Sequence, residues 1–128
     1  MNAVTRERAW HFKQLRWSLQ ALAASASEQR SLFPESAATP DELALDFDHW
    51  AAVVRDRYGL DLDPAQSVAL AAIEQVFSRM SSDAVELDAD IWSDAAVRAS
   101  DDWISLRRLA TEALEAFGWP LETSAEQP

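Results

Sequence analysis

Large apolar side chains recur along this chain at alternating intervals of three and four, the repeat that lines one side of an α-helix. Between Thr5 and about Ser27 the series is Phe12, Leu15, Leu19, Leu22 and Ala26. At about 100° per residue, Trp10 and Trp17 fall on the opposite side of the same helix, beside Arg6, Lys13, Ala21 and Ala24. A helix that is apolar on two sides is either central in its bundle or shares one face with a second chain. Residues 27–39 lose the periodicity and contain Pro34, which predicts a loop pinned to the core by Leu32 and Phe33.

Thr39, Pro40, Asp41 and Glu42 combine a capping side chain, a proline in the first turn and early carboxylates, and so predict a second helix. Its apolar positions Leu43, Phe47, Trp50, Ala51, Val54 and Tyr58 share an arc of about 100°. Gly59 stands where a left-handed C-terminal cap belongs, and Arg55 and Arg57 suit the negative end of the helix dipole. Asp63-Pro64-Ala65-Gln66 repeats the start signal, and Ala69, Ala72, Ile73, Val76, Phe77 and Met80 give the third helix a wide apolar face. The pattern weakens from Ser81 to Ser100, predicting a loop and a short helix after Ser93. Ser100 then caps a last helix carrying Trp103, Leu106, Ala110, Ala113 and Phe117, stopped by Gly118 ahead of Trp119 and Pro120. These elements predict an all-α, single-domain bundle of four main helices plus a short fifth over residues 1–120, with 121–128 a frayed tail.

Composition agrees with helix. Alanine and leucine far outnumber valine and isoleucine, and the chain of 128 residues holds two glycines. Much of the apolar fraction is alanine, so the bulk of the core rests on Leu, Phe and six Trp. There is no cysteine, which excludes disulfides and thiolate metal sites. Neither a signal-peptide pattern nor an apolar run long enough to span a bilayer is present, and a cytoplasmic protein is expected. Ten arginines to one lysine, beside the abundant alanine, reflect GC-rich bacterial coding more than chemistry.

Charge divides by position. The net charge is −11, yet the first 30 residues carry five Arg or Lys against two acids. A basic first helix ahead of an acidic body predicts docking within the chain, or a surface that repels nucleic acid and attracts a protein partner with a basic surface. Phosphate binding needs clustered cations, so neither nucleic acid nor an anionic membrane is expected as a partner.

Candidate chemistry is sparse. Glu86, Asp88, Asp90 and Asp94 imitate the alternating carboxylates of a calcium loop, but Ile91 replaces the turning glycine and Val97 the closing glutamate. The stretch reads instead as an acidic docking surface in which Asp88, Asp90, Asp94, Asp101 and Asp102 surround Trp92 and Trp103. Asp46 and His49, with Glu42 and Asp56 on the same stripe, offer a carboxylate-paired imidazole, half of a di-iron motif whose other half is missing. No serine sits in a glycine-flanked elbow and no loop is built to cradle phosphate. The residues therefore predict no catalytic set, metal or cofactor. They predict a non-enzymatic protein-binding module, adaptor or inhibitor in type, with Trp10, Trp17, Trp92 and the five aspartates as its binding residues. The alternatives are a homodimer formed through Trp10 and Trp17 on helix one, and a metal-dependent or small-molecule enzyme built on Asp46 and His49.

Overall fold

Several helix ends of this protein fall where the sequence supplies partners for their free backbone groups. A computed structural model describes residues 3–25, 28, 29, 39–83, 96 and 100–121. Four α-helices run Ala3–Ala23 (α1), Thr39–Tyr58 (α2), Pro64–Asp83 (α3) and Asp101–Phe117 (α4), with a short 3-10 turn at Gly59–Asp61. The described residues contain no strand.

The start of α3 is a complete capping box. The Gln66 amide donates to Asp63 Oδ1 at 2.8 Å, and the Asp63 amide donates to Gln66 Oε1 at 3.0 Å. At the start of α4 the Ser100 hydroxyl accepts from the Asp102 amide. That helix closes on Gly118 at φ 73°, where the Gly118 and Trp119 amides return to Glu115 and Leu114 carbonyls.

Three predicted ends are corrected. Gly59 does not cap α2 in the left-handed region, because Gly118 is the glycine with positive φ. The chain instead tightens into the 3-10 turn, in which the Leu62 amide donates to the Gly59 carbonyl at 3.3 Å. Helix α1 stops at Ala23, about one turn before the predicted Ser27. There Ser25 accepts from the Glu28 amide, and the buried Gln29 side chain donates to the carbonyls of Ala21 and Leu22, taking over the free acceptors of α1. Helix α3 runs on through Asp83, beyond its predicted stripe. The short helix expected after Ser93 lies outside the described residues except for helical Ala96, and so does the tail after Leu121.

One core joins the four helices. Leu15, Leu19 and Leu22 of α1 meet Leu43, Phe47 and Val54 of α2, Leu70, Ile73 and Met80 of α3, and Trp103, Leu106 and Leu114 of α4. Helix α1 packs along both α2 and α4, and α4 packs along both α1 and α3. This central position explains why α1 is apolar on two sides, and why it also buries Gln14, Ser18 and Gln20. Ser18 donates to the Leu15 carbonyl, and Gln20 reaches the Pro120 carbonyl at 2.6 Å, so both polar groups are satisfied where they are buried. By contrast, α2 and α3 approach each other closely at few points.

Candidate functional site

That poor contact between α2 and α3 leaves a cleft of 460 Å³ on the surface. Near the 3-10 turn the two helices are tied together by Arg55, whose guanidinium donates to the Ser67 carbonyl and pairs with Glu74, both at 3.0 Å. Phe47 from α2 and Phe77 from α3 form the floor. Both rings belong to the core, so the floor is apolar and fixed in place.

The walls have a different chemistry. Helix α2 supplies Asp41, Ala44, Leu45 and Asp48, and α3 supplies Glu74, Ser78 and Ser81. No cationic side chain lines the cleft among the described residues. Leu45 is 63% exposed on its rim. Burial raises the Glu74 carboxyl above its ordinary value, Arg55 opposes that shift, and Asp48 across the cleft adds to it. The two walls thus repel each other's charge over an apolar floor.

A second concentration of side chains lies where the N-terminal half of α1 crosses the C-terminal half of α2. His11 is 7% exposed, and its Nδ1 sits 2.8 Å from the Tyr58 hydroxyl. Trp10 meets Trp50 edge to face at 5.2 Å between centroids, and His49 meets Trp50 in the same way at 4.4 Å. Arg8 pairs with Asp61 at 2.6 Å and lies over the rings of Phe12 and Tyr58, while Arg57 pairs with Glu7. The basic start of the chain is thereby docked on the end of α2. A second pocket at the end of α2 is lined by residues 55–61, the Tyr58 ring among them.

The predicted site residues separate on inspection. Trp17 is 4% exposed and belongs to the core, whereas Trp10 is 50% exposed. The pair therefore does not form one exposed stripe, because packing against its neighbours covers the middle of α1 and leaves its first turns open. Trp103 is fully buried. Asp101 is exposed in the first turn of α4, while Asp102 pairs with Arg79 of α3. Trp92, Asp88, Asp90 and Asp94 lie outside the described residues.

Asp46 and His49 share a face of α2, with His49 exposed. Burial, then Glu42, push the Asp46 carboxyl above its ordinary value, and His49 opposes them; Asp46 Oδ2 is buried without a hydrogen-bond partner among the described residues. No group of three or more His, Asp or Glu side chains is placed to hold a metal ion among the described residues. No helix among them is long and apolar enough to cross a membrane.

Sequence reasoning did not single out Leu45, Asp41, Asp48 or Glu74 as a unit. One signal was available: Leu45 lies off the apolar arc of α2, on the side that carries Asp41 and Asp48. Comparison with protein-family models, with curated proteins and with solved structures found no match for this chain.

Proposed function

We propose that this chain is a non-enzymatic protein-binding module acting in the cytoplasm, an adaptor or inhibitor whose docking face is the cleft between α2 and α3. One observation carries the reading: a cleft over the buried rings of Phe47 and Phe77, with exposed Leu45 on its rim, is ringed by carboxylates. Such a face binds protein through the apolar centre and selects its partner through the charged rim. Exposed Asp101 and the acidic stretch at Asp88, Asp90 and Asp94, with Trp92, extend the same acidic character.

The test uses the full chain coupled to beads, with Leu45→Arg as the comparison, in lysate at low and high salt. The reading expects a protein held by wild type at low salt, released at high salt and missing from the Leu45→Arg beads. Identical captures on both beads, or none at either salt, contradict it.

Half-exposed Trp10, edge-on to Trp50, favours a second reading in which two copies pair through the first turns of α1. Light scattering on wild type and Trp10→Arg decides it. A wild-type monomer at micromolar concentration removes the dimer.

A further inference from the structure

Two exposed apolar side chains stand between unpaired charges of opposite sign. On α1, half-exposed Trp10 has Arg6 four residues before it and Lys13 three after, both exposed. Every other described Arg has an interaction partner, so Arg6 and Lys13 are the two cations without one among the described residues. On α2, exposed Leu45 has Asp41 four residues before it and Asp48 three after, both exposed and without an ion pair among the described residues. The other exposed large apolar side chains on helices lack such flanks: Val4 and Ile104 have charges of both signs within a turn, and Val68 has none.

We propose that the α1 face of one copy, Arg6, Trp10 and Lys13, docks on the α2 face of a second copy, Asp41, Leu45 and Asp48. This rests on the reading that α1 pairs copies, and names the surface that receives it. The two triplets match in length as well as in sign: each spans about 10.5 Å of helix axis, so with Trp10 on Leu45 both cations fall beside a carboxylate in either helix direction. A chain cannot bring its own pair together. Its Trp10 rests on Trp50, and Leu45 lies five residues before that contact, about 140° around α2. Residues 30–38 bring Leu32 and Phe33 with a single cation, Arg30, which Glu35 cancels; a second α1 brings two cations at the spacing of the two aspartates. Each copy carries −11, but at about 0.15 M salt charges more than about 8 Å apart are screened, and the local signs decide. Exposed ion pairs contribute little each, so the indole on leucine supplies most of the contact and the charges fix its register. The two faces differ, so copies close as a reciprocal pair about a two-fold axis or extend in a chain.

The experiment follows mass by light scattering from about 10 to about 500 μM protein at about 0.15 M salt, a range suited to a small, weak contact. It compares wild type with Arg6→Glu/Lys13→Glu and with Asp41→Lys/Asp48→Lys. All four positions are exposed, so the core is kept, as far-UV circular dichroism verifies. Wild type is expected to grow in mass with concentration. Each reversed chain alone sets like charges against one another, and is expected to bind itself at least about tenfold more weakly. Their equimolar mixture puts opposite signs back at both contacts and is expected to associate as wild type does. Asp41→Lys/Asp48→Lys is less negative than wild type, so relief of net repulsion alone would make it associate more.

Association of Asp41→Lys/Asp48→Lys by itself, as strong as wild type or stronger, overturns the α2 surface and leaves the pairing through α1 in place. A mixture no more associated than its two components overturns the proposal in the same way. A wild type that is monomeric throughout overturns both, and nuclear Overhauser contacts from Leu32 or Phe33 to Leu45 would then assign that face to the chain's own loop.

Discussion

Phe47 and Phe77 lie 6.1 Å apart between ring centroids, one on each of two helices that otherwise keep their distance. The contact makes the cleft floor part of the hydrophobic core. Phe47→Ala removes a fully buried ring and is expected to cost about 3 kcal/mol of unfolding free energy in urea. Leu45→Ala, on the exposed rim, is expected to stay within about 0.5 kcal/mol of wild type. Equal losses from both would show that the rim is packed and the cleft closed.

Arg55 holds the narrow end of the cleft through the Ser67 carbonyl and Glu74. The ion pair is partly exposed, so its own contribution is discounted. Arg55→Met is expected to cost about 1 kcal/mol, mostly from the lost hydrogen bond to Ser67, and to speed amide hydrogen exchange in the first turns of α3. Unchanged exchange there would show that the tie does not set the spacing of the two helices.

His11 and Tyr58 join α1 to α2 below the surface. Tyr58→Phe keeps the ring and leaves His11 Nδ1 without the hydroxyl, at an expected cost of about 1–2 kcal/mol in thermal or urea unfolding. A neutral outcome would show that water replaces the phenol.

The Asp46 carboxyl titrates above its ordinary value in the folded chain, chiefly because it is buried. The native state therefore binds the proton more tightly than the unfolded chain, and this group's contribution to stability falls as pH rises from its ordinary value through its raised native one. Asp46→Asn removes that loss. The variant is expected to unfold at a temperature at or above that of wild type at neutral pH, with the difference shrinking as acid protonates Asp46. A variant less stable at neutral pH, by the same margin in acid, would show that the carboxylate has a partner worth more than its burial costs.

The two best-formed helix ends set a further expectation. Gly118 has φ 73° with open space where a side chain would point, so Gly118→Ala meets conformational strain alone, about 1–2 kcal/mol. Asp63→Ala breaks the capping box of α3 at about 1 kcal/mol. Denaturation midpoints that do not move would place both ends outside the cooperative unit.

The helix ends were the most legible part of the sequence, because Asp63, Gln66, Ser100 and Gly118 act on backbone groups only a few residues away. Gly59 misled, since a glycine permits a left-handed cap without requiring one, and the short link to Asp63 took a 3-10 turn instead. The second apolar side of α1 was visible, but whether its neighbours came from the same chain was not; packing against α2 and α4 answers that for Trp17 and leaves Trp10 open. Gln29 was unreadable as a cap because its targets, Ala21 and Leu22, lie across a break in the helix. The cleft was hidden for a related reason. It depends on the separation of α2 and α3, which no spacing within either helix encodes, and Leu45 outside the apolar arc was its one local trace.

The most direct test of the account is hydrogen exchange by mass spectrometry on the complex with the protein retained by the beads. The account predicts slower exchange in residues 41–48 and 74–81, with α1 near Trp10 unchanged. Slowing confined to residues 3–13, with both walls of the cleft exchanging as in the free protein, would contradict it.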